Sequence, residues 1–162
     1  MEVDIAIDDP RAEDVKALLA IHLGFARSAT PAEYSFALDV EQLIDSAVTF
    51  FSARNDGRLL GVAALKRLDG GHAELKSMHT REIERGRGVG RALVDHIVTF
   101  AASQGYQRVS LETGSTDEFV SARALYIKMG FRPCAPFGDY QASAYNTFMT
   151  LDLQSAPVAP GG

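Results

Sequence analysis

Cysteine is almost absent from this 162-residue chain: Cys134 stands alone, so no disulfide can form within it. Basic charge is scarce too. Sixteen Lys and Arg face 21 Asp and Glu, a net charge of −5 with no long basic run, which argues against a protein whose main partner is the phosphate backbone of nucleic acid. No stretch is apolar for long enough to span a bilayer, and the first residues lack the basic and apolar regions of a secretory signal, so a soluble cytoplasmic enzyme is expected. No internal repeat is present. What is there, 46% hydrophobic and 23% charged residues, is the composition of a globular domain with a sizeable core. One domain is expected over residues 1–153, with 154–162, rich in Pro, Gly and Ala, as a disordered tail.

The most informative stretch begins at Ala73. Residues up to Thr80 read as a strand; Arg85-Gly86-Arg87-Gly88-Val89-Gly90-Arg91 then forms a glycine and arginine turn that opens a helix through Ala92, Leu93 and Ile97. A helix start aims unpaired backbone N–H groups and the positive end of the helix dipole at one small volume, which suits phosphate oxygens. Glycine lets the ligand approach the main chain, and Arg85, Arg87 and Arg91 add charge in a geometry suited to phosphate, so a pyrophosphate is expected. A Walker A loop is excluded because the Gly-Lys-Ser/Thr ending is missing. A dinucleotide fingerprint is excluded because Arg91 stands at the third glycine position.

Elsewhere, Val3, Ile5 and Ile7 alternate as a first strand, and Asp9-Pro10 reads as an N-cap and first position of a helix over residues 10–23, ending near Gly24, with His22 packed or half-exposed on it. Residues 25–38 lack a period; Val40, Leu43 and Ile44 suggest a short helix. Val48 to Arg54, Arg58 to Leu68 and residues 72–80 form a meander through tight turns at Asn55-Asp56-Gly57 and Asp69-Gly70-Gly71. The helix from Gly88 closes at Gly105, and Gln107 to Glu112 returns as a strand parallel to the one ending at Thr80. Ser115 and Glu118 read as a capping box for a helix that ends at Gly130. The stretch from Arg132 to Tyr140 is a loop too irregular for a strand, and Ala144 to Leu153 a last strand.

Arg85-x-x-Gly88-x-Gly90 resembles the first signature of the GNAT superfamily of N-acetyltransferases, and Ala122-x-x-Leu125-Tyr126-x-x-x-Gly130-Phe131 resembles the second. The resemblance covers about residues 45 to 152. One departure is Phe119, which stands where family enzymes often carry Asn.

The resemblance implies an α/β fold: a mixed, mostly antiparallel central sheet flanked by helices, with a splayed parallel strand pair forming the acetyl-CoA site. It implies transfer of an acetyl group from acetyl-CoA to a primary amine by direct attack, without a covalent enzyme intermediate. Main-chain groups around Met78, His79 and Thr80 would hold the pantetheine arm and thioester. Arg85, Gly86, Arg87, Gly88, Val89, Gly90 and Arg91 would hold the pyrophosphate. Tyr126 matches the tyrosine that protonates the departing sulfur. For the base, Glu74 is favoured over Glu112, with His79 third. Contacts to the acceptor are sought at Tyr34, Phe36 and Asp39 and in the loop carrying Phe137, Asp139 and Tyr140.

A small-molecule or peptide amine is the expected partner, with no nucleic acid or membrane, and a monomer or homodimer as the assembly. No metal is expected. His72-Ala73-Glu74 and Pro133-Cys134 resemble zinc-deaminase elements, but Phe137 occupies the second cysteine position and leaves the metal a ligand short. The rival from another class is a catalytically silent acyl-CoA-binding module.

Overall fold

A computed structural model of the chain describes residues 2–34 and 38–153, without the side chain of Tyr34; Phe36 and the tail 154–162 lie outside the described residues. Seven strands form one sheet in the order β1-β2-β3-β4-β5-β7-β6. They are β1 (Asp4–Ile7), β2 (Val48–Asn55), β3 (Arg58–Arg67), β4 (His72–Thr80), β5 (Arg108–Gly114), β6 (Arg132–Pro133) and β7 (Asn146–Asp152). Four helices accompany them: α1 (Glu13–Ala29), α2 (Val40–Leu43), α3 (Val89–Ser103) and α4 (Val120–Lys128).

The meander forms where the turn chemistry allows it. Asp56 and Gly57, at φ 48° and 79°, make the tight β2–β3 turn whose twist matches that of paired strands. All neighbours pair antiparallel except β4 and β5, which the α3 crossover makes parallel.

Strand alternation divides the interior into two cores. Phe51, Ala63, Leu75, Val109 and Leu111 pack with Leu93 and Ile97 of α3 and Tyr126 of α4. Their neighbours Phe50, Val62 and Ala64 point the other way and pack with Val15, Leu18 and Leu19 of α1 and Leu43 of α2. So α1 covers one face of the sheet, and α3 and α4 the other.

The β4–β5 pairing covers only His72–Leu75 against Arg108–Leu111. Beyond it, β4 runs on to Thr80 beside β3 and β5 to Gly114 beside β7, no longer paired with each other, and a gap opens between two strands of one sheet. On its other edge, β4 breaks register with β3 near Ser77, whose φ of 55° is unusual for a side-chain-bearing residue. A bulge bends its strand, and this one lies where β4 and β5 have stopped pairing.

Four local expectations are corrected. Helix α1 begins at Glu13, not Pro10, and its cap position Ala12 makes no side-chain hydrogen bond; the Asp9 carboxylate instead accepts from the backbone and guanidinium of Arg11. The helix also runs through Gly24 to Ala29. Nothing crowds Gly24, so its penalty is only the intrinsic ~1 kcal/mol of a helical glycine, and the continuation carries Phe25 onto the ring of Phe119. Ser115 caps nothing, because its hydroxyl pairs with Thr147 Oγ1 at 2.6 Å and a 3-10 turn, Asp117–Phe119, precedes α4. Finally, Arg132 and Pro133 do pair as a short edge strand, against Thr150 and Met149.

Candidate active site

The gap between β4 and β5 opens into a cleft of about 610 Å³, bounded by α1, the ends of both strands, the turn before α3, and α4. That volume accommodates a long thin ligand together with a small second one.

At one end lies the phosphate-type turn. Gly86 and Gly88 hold φ of 78° and 84°, and Gly88 is the N-cap residue of α3, so the first N–H groups of a 15-residue helix face the cleft with no Cβ in the way. Arg85, Gly86, Gly88, Val89, Gly90 and Arg91 line it. Gly90 is small for another reason: a Cβ there would lie 3.2 Å from Leu125 of α4 and 3.7 Å from Met78 of β4. The turn fits a pyrophosphate on these observations.

Arg87 departs from expectation, since it does not line the cleft and leans on Glu84 at 3.5 Å. Glu84 is 2% exposed and is also paired with Arg58 of β3, so a buried carboxylate beneath the turn anchors it to the sheet. Sequence reasoning missed Glu84, as nothing local links it to a residue in the meander.

In the middle of the cleft the ends of β4 contribute Ser77, Met78, His79 and Thr80. Ser77 is 8% exposed, and its hydroxyl has no hydrogen-bond partner among the described residues. An orphan hydroxyl on a positive-φ residue is two local costs at one position.

On the α1 face, Glu74 accepts from the Tyr140 hydroxyl at 2.6 Å and from Lys76 Nζ at 3.0 Å, both on Oε2. Lys76 also donates to the Tyr140 oxygen at 2.7 Å. Glu112 follows Leu111 on β5 and so points to the same face as Glu74; it accepts from the Asn146 amide. Burial pushes its carboxyl above the usual range, opposed by the Asn146 bond and Lys76 and assisted by Glu74.

Tyr126 of α4 approaches from the other face. It is buried, lines the cleft, and has no hydrogen-bond partner for its hydroxyl among the described residues. Burial and the nearby charge of Glu112 hold the phenol far above its ordinary value, so it stays protonated at neutral pH.

His22, expected as a packed or half-exposed helix residue, is half-buried and faces the cleft, with Nδ1 3.1 Å from Nδ1 of His79. Burial is the main reason that both imidazoles are pushed down to about 4; His79 adds to the effect on His22, and Arg85 to that on His79. A 3.1 Å contact between two ring nitrogens requires one N–H and one lone pair, which the neutral pair supplies.

The proposed acceptor contacts fare differently. Asp39 spends its carboxylate in a capping box with Gln42 of α2 and does not line the cleft. Phe137 is buried against His72, Tyr140 and Phe148, and Asp139 is exposed outside the cleft. Tyr140 acts one step away, by holding Glu74. The side chain of Tyr34 and all of Phe36 are outside the described residues. Phe25, Ala26 and Thr30 of α1 and its C-cap line the cleft instead. They were missed because Gly24 read as a helix end.

A seven-stranded sheet opened at its one parallel pair, with a glycine turn at the mouth, defines a nucleotide-type cofactor cleft. The sequence pattern of the Acetyltransferase (GNAT) family matches residues 15–131, and the chain belongs to that family. It is 40% identical to the uncharacterized N-acetyltransferase YedL of Escherichia coli over 92% of this chain and 94% of that one. It is 41% identical to the uncharacterized N-acetyltransferase YsnE of Bacillus subtilis, over 92% and 99%. Among solved structures, a protein described as an acyl-CoA N-acyltransferase from Klebsiella pneumoniae superposes with a TM-score of 0.80 at 24% identity, covering 94% of this chain and 98% of its own. A Bacillus subtilis acetyltransferase solved in complex with CoA gives 0.72 at 19%, covering 94% and 100%. The protein is an acetyl-CoA-dependent N-acetyltransferase.

Proposed function

We propose that this enzyme moves the acetyl group of acetyl-CoA to a primary amine by direct attack, with Tyr126 as general acid and Glu112 as general base. The observation that supports it best is that these two side chains line one cleft and reach it from opposite faces of the sheet.

Arg85, Arg91 and the main-chain N–H groups from Gly86 to Gly90 hold the pyrophosphate, and main chain from Met78 to Thr80 holds the pantetheine arm. Glu112 takes a proton from the ammonium, and the nitrogen lone pair then attacks the thioester carbon. When the C–S bond breaks, the Tyr126 O–H supplies the proton that makes free CoA thiol, and the second proton, which the nitrogen sheds as the neutral amide forms, returns to the Tyr126 phenolate. Burial sets the groups for these roles, raising a carboxylate toward neutral pH and keeping a phenol protonated. Glu74 is the weaker base, because Lys76 and Tyr140 both occupy one of its oxygens. Cys134, the one thiol, does not line the cleft, which favours direct attack over a thioester on the enzyme.

Release of free thiol from acetyl-CoA across a panel of amines tests this reading. Amine-dependent release is the expected result; tight acetyl-CoA binding with no release for any amine would make the chain a silent binding module.

A further inference from the structure

Taking the cleft as the place of transfer, we infer that its acceptor is a small amine with a single positive charge on a flat apolar body, with the ammonium on Glu112 and the body against Phe25 and Phe119. The inference goes beyond the transfer reading by naming the acceptor class.

Four carboxylates line the cleft, and three are already answered. Glu74 is ion-paired with Lys76 and hydrogen-bonded by Tyr140. Glu84 lies under the phosphate turn with Arg58 and Arg87. Glu118 is fully exposed at the rim, where water screens it. Glu112 alone is enclosed with no ion-pair partner among the described residues: the neutral amide of Asn146 donates to it, and Lys76, paired with Glu74, attracts it only from beyond ion-pair distance.

The acceptor side of the cleft therefore offers one place for one cation. A second or third ammonium, as on a polyamine or an aminoglycoside, would meet Lys76, Arg85 and two uncharged imidazoles, and would lose its hydration for no partner. The wall supplies the other half of the specificity. The Phe25 and Phe119 rings meet edge to face, with centroids 5.2 Å apart and planes at 61°, and both border the cleft beside Ala26. Such a surface gains from burying a flat apolar group and gains little from a polar chain. Asp39 and Asp139, which would have made the region acidic, lie outside the cleft.

Calorimetry on the protein saturated with CoA, so that no acetyl group is available for turnover, compares 2-phenylethylamine with spermidine. The expected result is at least tenfold tighter binding of 2-phenylethylamine. Glu112→Gln, which keeps the side-chain shape, should weaken it tenfold or more without changing CoA affinity or the near-ultraviolet dichroism by which correct folding is judged. Phe25→Ala should weaken it several-fold. Equal or tighter spermidine binding, no detectable binding of either amine, or an unchanged 2-phenylethylamine affinity in Glu112→Gln would overturn the inference. The two readings separate cleanly: selective amine binding with no thiol release in the turnover assay would uphold the acceptor class and sink the transfer reading.

Discussion

Gly114 and Phe119 fit together so closely that position 114 has no room for a side chain: a Cβ there would lie 2.0 Å from Cδ2 of the Phe119 ring. The phenylalanine that replaces the family's usual asparagine thus lies flat on the end of β5, and its ring reaches Phe25 across the cleft. Gly114→Ala should destabilise the fold by about 1–3 kcal/mol, the scale of overpacking. In urea titrations the Gly114→Ala, Phe119→Ala double variant should recover much of that loss, a coupling expected of residues in contact. Additive losses would mean that the contact is not the cause.

The two glycines of the turn should fail for different reasons. Gly88→Val forces a β-branched residue to a φ of 84°, whereas Gly90→Val drives a side chain into Leu125 and Met78. Both should weaken acetyl-CoA at least tenfold in calorimetry. Only Gly90→Val should also disturb the packing between α3 and α4, visible as altered near-ultraviolet dichroism.

Tyr126→Phe removes one oxygen and little packing. Acetyl-CoA affinity should stay nearly intact while kcat falls roughly a hundredfold, the scale of losing one proton donor. A wild-type kcat with the best amine would assign the acid role elsewhere.

The two carboxylates should separate by pH. Glu112 works as a base only when ionised, and its folded value is raised, so the acid limb of wild-type kcat/KM should lie above the ordinary carboxylate range. Glu112→Gln should abolish that limb and cost most just above it, where Glu112 is ionised and the amine is still protonated, with the deficit shrinking toward lower pH as wild type loses its base and toward higher pH as free amine accumulates. The stability sign is the reverse. A raised folded pKa favours the fold at low pH and penalises it as pH rises, so Glu112→Gln should gain on wild type in melting temperature between pH 4 and pH 8. Glu74→Gln should instead loosen Lys76 and Tyr140 and lower stability.

Ser77→Ala should stabilise the ligand-free protein by roughly 1 kcal/mol, since it deletes a buried hydroxyl without a partner. If that hydroxyl serves acetyl-CoA, the same variant binds acetyl-CoA more weakly. Equal affinity with a higher melting temperature would leave Ser77 as plain frustration.

How legible was all this? The meander, the helix start at Gly88 and the left-handed ends at Gly105 and Gly130 could be read locally, because backbone preference and side-chain period act within a few residues. The glycine turn and the helix that carries Tyr126 were legible for the same reason, as short patterned stretches; that both line one cleft was not. Gly24 and Ser115 misled because local propensity is a weak term, overridden by the Phe25–Phe119 contact in one case and the Ser115–Thr147 bond in the other. The sequence by itself determined the elements, the turn chemistry and the family. Only the tertiary structure decided that Tyr140 holds Glu74 across 66 residues, that His22 meets His79 across 57, and that Glu112 is enclosed with no ion-pair partner among the described residues. Those relations depend on which strands lie side by side and where their pairing stops, and sheet pairing is set by burial over the whole chain, which no local stretch encodes.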